Sequence, residues 1–485
     1  MSDNLRHRTL HALSWSFVEI VSVRLMTLVI TIVMARLLLP EQFGLIAMLT
    51  IFTAVAQSFV DSGFGSALVQ KKDVTQVDQC SIFYFNIAVA LIAAGLLCLA
   101  APAIAAFYDQ TLLTPLTRVL SLNIVINSFG LVQRTLMVKR IDFKTQAKVS
   151  LIGTTFSGAI GITLAFQGFG VWSLAAQSLS ASLVQVALLW GFNSWRPSLV
   201  FSVQPLRSMF SYGSRLLASG LLDTIFENIY LITIGKLFSA ADLGFYTRAD
   251  TLRNAPMVSL AGGVGRVTFP VFAAIGDDVR RLRRAMHKAV TTLVMVNFPM
   301  MAGLALTARP LVLLLLGERW AASIPYVQLL SIGGLLYPLH LINLNMLLAR
   351  GRSDLYFRVS LMKKVLVVVN IVVMHRWGIP ALIAGGILVS CLNLIFNAYY
   401  TGVLIAYPLR HQLVDVLPYL GTTGIMAAGV FSIQALPFPN YAALLAAQVL
   451  SGALIYMTLC AVFNIPAFTE AWSTVRARLG WMTPT

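Results

Sequence analysis

Arg215, Ser219, Asp223 and Glu227 recur every four residues inside the apolar stretch 209–234. On a helix that spacing sweeps a slowly turning polar stripe down one side, and Asn228 and Tyr230 extend it. The next apolar stretch, 243–270, carries Tyr246, Arg248, Asp250, Arg253 and Asn254, and the first, 12–35, carries Glu19 and Arg24. Arginine presents a planar fork of N–H donors that grips phosphate-like oxygens two at a time. An aspartate or glutamate beside it either holds the arginine in place or carries a proton. A charge in the middle of a bilayer costs about 2.5–3.5 kcal/mol on insertion scales, so such groups face a bundle interior or a watery cavity. The chemistry these residues offer is the binding of a polar, anionic group within a membrane.

Composition dictates the scaffold that holds these side chains. The chain has 485 residues, 58% hydrophobic and 11% charged, with mean hydropathy +0.81. A soluble domain carries about 25% charge, so most of this surface requires lipid. Fourteen apolar stretches succeed one another from 12–35 to 441–463, each of roughly the 20 residues that cross a 30 Å hydrocarbon core as a helix. The expected fold is all-α: a polytopic membrane protein of about fourteen transmembrane helices.

Internal duplication organises them. ARLLLPEQFG (Ala35 to Gly44) returns in outline as GKLFSAADLG (Gly235 to Gly244). KVSLIG (Lys148 to Gly153) is echoed by RVSLMK (Arg358 to Lys363), and GVWSLAAQSL (Gly170 to Leu179) by GIPALIAGGI (Gly378 to Ile387). Two six-helix lobes are expected, 1–200 and 201–410, with two further helices and a tail in 411–485. The polar, proline-bearing stretch Asn193 to Met209 links the lobes. Repeats of this kind are a usual architecture for transporters, with the substrate site between the halves. On that basis Arg24, Arg215, Asp223, Glu227, Arg248, Asp250, Arg253 and Glu19 are expected to line a central cavity.

The net charge of +17 would suggest nucleic acid in a soluble protein, but its distribution excludes that partner. With the N-terminus inside, 23 Lys and Arg fall in cytoplasmic segments and 5 in outer ones. This is the positive-inside pattern, and it places both termini in the cytoplasm. The longest polar stretch, Ile275 to Val290, reads as an amphipathic helix whose basic face suits anionic lipid headgroups. The first apolar stretch is too long for a cleavable signal and is expected to remain as a span.

ARLLLPEQFGLIAM, DSGFGSALVQKKD (Asp61 to Asp73), GFYTRADTLRNAPM (Gly244 to Met257) and RVTFPVFAAIGDDVRRLRRA (Arg266 to Ala285) carry a resemblance. It extends over about residues 8–465. The chain resembles the polysaccharide-transport branch of the multidrug/oligosaccharidyl-lipid/polysaccharide exporter superfamily, the Wzx-type flippases, and is similar to colanic-acid and teichuronic-acid exporters. The resemblance implies export of an undecaprenyl-pyrophosphate-linked oligosaccharide across a bacterial inner membrane by alternating access. It also implies a polysaccharide polymerase or export machinery as a partner. Arg24 and Arg253, near the middle of their spans, are then the expected pyrophosphate ligands, with Arg215 and Arg248 as stations on either side. Asp223, Glu227 and Asp250 either pair with the arginines and lock the two lobes together or line the cavity, and Asp223 or Glu227 is a candidate to carry a coupling proton.

Other intramembrane charges suit simpler roles. Arg134 and Arg266 lie near the cytoplasmic ends of their spans, where their side chains can snorkel to the interface. Glycines 262, 263, 265, 333 and 334, with Pro338, mark either bends or close helix packing. Enzyme motifs are missing: no Gly-x-x-x-x-Gly-Lys-Ser/Thr is present, and the six histidines show no pairing for metal or acid–base work. Cys80, Cys98, Cys391 and Cys460 read as small core residues, so neither cofactor nor metal is expected. Two rivals are a cation-coupled drug antiporter of the same superfamily and a membrane polysaccharide polymerase or ligase. The antiporter favours an acid-dominated cavity, yet seven basic residues against five acids lie within the stretches. The polymerase requires a large outer loop, and the outer loops here are short. The topology is testable in intact cells: Glu41→Cys is expected to react with an impermeant maleimide and Lys288→Cys to be protected, and the reverse labelling would invert the assigned orientation.

Overall fold

The computed structural model describes residues 22–61, 63–71 and 73–478; the side chains of 208–212, 215–216, 258–267 and 474–478 are not included. Glu19 and the side chains of Arg215 and Arg266 therefore lie outside the described residues. Every regular element described is a helix. The chain divides into two compact units, one up to Thr247 and one from Arg248. The first holds α1 (22–37), α2 (Pro40–Asp61), α3 (Phe64–Gln70), α4 (Gln76–Tyr108), α5 (Leu113–Lys139), α6 (Phe143–Phe166), α7 (Val171–Phe192), α8 (Val203–Glu227) and α9 (Ile229–Leu237). Helix α10 (Ala240–Ile275) begins in the first unit and ends in the second. The second continues with α11 (Val279–Leu315), α12 (Ile324–Gly334), α13 (Tyr337–Ala349), α14 (Ser353–Met374), α15 (Gly378–Ile405), α16 (Leu409–Ile433), α17 (Tyr441–Val462) and α18 (Pro466–Arg478).

Ten helical segments among the described residues are long and apolar enough to cross a membrane, or eleven if the bent pair α8–α9 is one span. This differs from the fourteen stretches read in the sequence for identifiable reasons. The segment Ser353–Ile405 is one apolar run but two helices, α14 and α15, which fold back on each other. Asn370 Nδ2 donates to the Leu382 carbonyl at 3.1 Å, and a Cβ on Gly385 would lie 1.8 Å from Asn370 Oδ1. Helix α10 carries Asp242, Arg248, Asp250 and Arg253 along its length, and the first stretch is described only from residue 22. Rows of exposed Leu, Val, Ile and Phe, such as Val365, Val368 and Val372 on α14, form an apolar surface that only lipid solvates. The chain is a multi-pass helical membrane protein.

Helix boundaries obey local chemistry. Thr75 and Asp78 form a capping box at the start of α4, and Lys71 closes on Asp78 at 2.6 Å. Asp278 caps α11 by accepting the Arg281 N–H at 3.0 Å, an interaction that holds its carboxyl below the usual carboxylate range. From that cap α11 runs without a break for 37 residues, about 55 Å at 1.5 Å per residue. The basic segment that read as a separate interfacial helix is thus the first turns of a long helix. No glycine or proline lies between Val279 and Phe298 to interrupt it. The stretch 323–348 instead breaks into α12 and α13 after Gly333-Gly334. Asn297 Nδ2 donates there to the freed carbonyls of Gly334 (3.1 Å) and Leu335 (3.4 Å).

The linker after α7 is pinned. Asn193 and Trp195 are buried. Gln133 Nε2 donates to the Trp195 carbonyl at 3.2 Å and Asn193 Nδ2 to the Gln133 carbonyl at 3.3 Å. Trp195 Nε1 reaches Gln76 Oε1 at 2.9 Å. These bonds tie the start of α4 and the lower half of α5 to the chain leaving α7.

The repeated motif makes the tightest backbone approach. A Cβ on Gly44 would stand 1.7 Å from the Ala240 carbonyl oxygen, and one on Gly244 would stand 2.0 Å from that of Pro40. Residues 40 and 44 occupy the first turn of α2, and 240 and 244 the first turn of α10. Each glycine thus meets the helix start of the other copy, a reciprocal contact that only hydrogen side chains allow. Gly44→Ala and Gly244→Ala are each expected to lower the thermal stability of the purified protein by about 1–3 kcal/mol, the usual range for overpacking. Gly95→Ala, with open space at its Cβ, serves as the control, and equal melting temperatures for all three would refute the contact.

Candidate functional site

Helix α8 carries the polar stripe on an exposed face. Ser219, Asp223 and Glu227 are all exposed, whereas Thr224 turns toward α2 and meets the Ser58 hydroxyl at 3.3 Å. The stripe ends at a break. Asn228 interrupts the helix with its Nδ2 donating back to the Thr224 carbonyl at 2.8 Å, and α9 leaves at 42° to the last turns of α8. Interrupted helices at membrane depth are tolerated where they border protein or a water-filled cavity, and two carboxylates on the exposed side of this one need such surroundings. Arg24 is likewise exposed on α1. It belongs, with Asp223 and Glu227, to the first unit.

In the second unit the structure brings together two expected site residues, Asp250 and Arg253, with Asn254 beside them. Arg253 Nη2 donates to Asp250 Oδ1 at 2.6 Å, and Asn254 Nδ2 donates to Asp250 Oδ2 at 2.8 Å. One turn of α10 thus satisfies both carboxylate oxygens. Arg253 retains donors beyond that pair: its Nε is buried with no hydrogen-bond partner among the described residues. Tyr337 at the start of α13 lies within electrostatic reach of the guanidinium. The arrangement orients an arginine with its charge already half-neutralised, lowering the penalty of keeping it in the membrane while leaving a face for an anion. Arg248, one turn earlier, is half-buried with its Nε enclosed.

One polar system escaped sequence reading. His340 Nε2 pairs with the Ser390 hydroxyl at 2.8 Å, and Asn397 Nδ2 approaches His340 Nδ1 at 3.1 Å. An amide nitrogen only donates, so Nδ1 is the acceptor and the imidazole proton sits on Nε2. Thr401 Oγ1 has two acceptors for its one proton, Asn343 Oδ1 (2.5 Å) and the Asn397 carbonyl (2.8 Å), and Asn343 Nδ2 donates to Gln412 Oε1 at 2.8 Å. Beyond Gln412, which donates to the Tyr407 carbonyl at 3.1 Å, the Tyr407 hydroxyl bonds Asp415, and Asp415 meets His287 Nδ1 at 2.7 Å. The network fastens α13, α15 and α16 and, through His287, α11. Its signal was present as Asn393, Asn397 and Thr401 at intervals of four in an otherwise apolar helix.

The helices among the described residues that are long and apolar enough to cross a membrane define a polytopic membrane protein. A family model described as polysaccharide biosynthesis protein matches residues 33–325, and the chain belongs to that family. It is 28% identical over 403 residues to lipopolysaccharide biosynthesis protein WzxC of Escherichia coli, covering 82% of this chain and 81% of that one. It is 29% identical over 417 residues to teichuronic acid biosynthesis protein TuaB of Bacillus subtilis, covering 84% and 86%. Among solved structures it is similar in fold to the lipid II flippase MurJ in an inward closed conformation (TM-score 0.74, 12% identity, 92% of this chain and 98% of that one). It is also similar in fold to an inward-facing multidrug resistance MATE transporter (TM-score 0.63, 15% identity, 80% and 98%).

The pairing within α10 has a measurable consequence. Asp250→Ala strands a half-buried guanidinium, with an expected cost of about 1–2 kcal/mol for a pair of intermediate exposure. Asp250→Ala in an Arg253→Ala background is expected to be milder, giving a coupling of about 1 kcal/mol in a double-mutant cycle of thermal stability. Strictly additive losses would show that the two side chains do not support each other.

Proposed function

We propose that this protein is a flippase that carries a pyrophosphate-linked oligosaccharide, anchored on a polyprenyl lipid, across the inner membrane of a bacterium by alternating access, for surface polysaccharide synthesis. Membership of the polysaccharide biosynthesis family supports the process. The observation that carries the substrate class is Arg253, an arginine on α10 positioned by Asp250 with a buried donor left over. A pyrophosphate crossing hydrocarbon must exchange hydration for fixed charge, and a guanidinium fork supplies it.

Arg24 is the corresponding cation on α1, and the exposed Asp223 and Glu227 on α8 supply acceptors for sugar hydroxyls or a titrating carboxylate. The two-lobe division at 1–200 and 201–410, with 411–485 added, is the architecture on which alternating access would act. The chain's own role is translocation without bond-breaking. The basic turns of α11, Arg280 to Lys288, would rest on anionic headgroups of the cytoplasmic leaflet, and a polymerase would take the product on the far side.

Cells carrying Arg24→Ala or Arg253→Ala, at normal membrane levels, are expected to accumulate lipid-linked repeat units on the cytoplasmic face, as a deletion strain does. Unimpaired export in both variants would remove these arginines from the path. Unimpaired export in the deletion strain as well, with no second exporter present, would overturn the substrate assignment.

A further inference from the structure

A cavity of about 280 Å³ opens between the cytoplasmic halves of α5, α6 and α7, lined by Arg134, Gln146, Val149, Ser150, Gln185 and Leu189. Reading the sequence alone, Arg134 suited snorkelling; the structure places it in a hollow with two amides and a hydroxyl. The helix ends locate this hollow in depth. Arg134 lies five residues before the end of α5, Gln146 three residues into α6, and Gln185 seven before the end of α7. At 1.5 Å per residue these lie roughly 5–10 Å inside the helix termini. That is the level of headgroups and glycerol on the side marked as cytoplasmic by Lys139, Arg140, Lys144 and Lys148.

The lining specifies the chemistry of an occupant. Gln146 Nε2 is buried and has no hydrogen-bond partner among the described residues, a donor that an acceptor-rich group would satisfy. Arg134 adds a charged fork of donors. Gln185 is let into the site by Gly153, whose Cβ would stand 2.5 Å from Gln185 Cγ. Asp61 is the acid within electrostatic reach of Arg134, and its Oδ1 already accepts from Gln57 at 3.0 Å. The volume corresponds to roughly nine water molecules at 30 Å³ each, which suits one headgroup and not an oligosaccharide. Around it the same helices expose Val138, Leu151, Ile152 and Leu183, apolar groups that suit the chain of a lipid. Basic pockets between membrane helices on the cytoplasmic side take lipid phosphates by this combination.

We infer that this cavity is a phosphate site separate from the arginines on α1 and α10, where the pyrophosphate of the lipid-linked substrate docks from the cytoplasmic leaflet before it is carried across. The inference rests on the flippase reading for the identity of the lipid, but the site itself is defined by α5, α6 and α7. Arg134 would hold the charge, Gln146 and Gln185 would orient the oxygens, and the apolar rim would lie along the polyprenyl chain.

The test uses the purified full chain and native mass spectrometry with undecaprenyl pyrophosphate and phosphatidylglycerol as probes, and soluble pyrophosphate as competitor. Arg134→Gln with Gln146→Leu is expected to weaken undecaprenyl pyrophosphate binding about tenfold or more, as the loss of one charge-assisted bond would, with phosphatidylglycerol adducts unchanged. Arg134→Lys should recover part of the binding, which separates a lost ligand from a damaged fold. Undecaprenyl pyrophosphate binding to the double variant at the wild-type level would overturn the site. An equal fall for phosphatidylglycerol would overturn it as a substrate station and leave a general phospholipid pocket. Failure of the wild-type chain to bind undecaprenyl pyrophosphate would overturn this station together with the substrate assignment, whereas wild-type binding untouched by the double variant refutes the cavity alone.

Discussion

The reciprocal backbone contact between the two copies of the repeat, Gly44 on Ala240 and Gly244 on Pro40, is the closest constraint on how the helices of the first unit pack. Two helix starts can approach to carbonyl contact only where neither carries a side chain, and each copy supplies one glycine and one small or ring-closed residue. The contact fixes α2 against α10 at their first turns. Gly235 reinforces the arrangement: its missing side chain leaves room for Met48, Tyr108 and Leu243, which a Cβ would meet at 3.1–3.2 Å. The duplicated motif is therefore a packing device as well as a sign of the repeat.

Charge inside a membrane is stabilised here by two different strategies. Asp250 and Arg253 neutralise each other within one turn and leave buried donors over, so the residual field is weak until an anion arrives. Asp223 and Glu227 instead stay exposed on a helix that breaks beside them at Asn228. At the break the Thr224 carbonyl accepts from both the main-chain N–H and the side-chain Nδ2 of Asn228.

Much of the fold was legible because lipid imposes length and apolarity on every span. The stretches 81–106, 113–136, 146–166 and 170–192 correspond to α4, α5, α6 and α7 with ends displaced by a few residues. The stretches 357–374 and 379–405 likewise correspond to α14 and α15. Polarity does not record a helix end, so the basic turns of α11 read as a separate element although no glycine or proline follows them before Pro299. The expected bend at Gly333-Gly334 is seen as the break between α12 and α13, because a carbonyl acceptor lost by the helix finds Asn297.

Site residues were legible as types and depths and not as constellations. Spacing alone put Asp250, Arg253 and Asn254 on one face of α10, since i, i+3 and i+4 neighbours must meet. Partners on other helices were out of reach: nothing local to His340 announces Ser390 and Asn397, and nothing local to Arg134 announces Gln185. Both cases depend on a small residue elsewhere or on a polar stripe in a second helix. A lone charge in an apolar stretch is therefore better judged against the amides and hydroxyls that recur at intervals of four on its neighbours. By that criterion Arg134 stands out, because Gln146 and Ser150 recur at such an interval on α6 and line the same cavity.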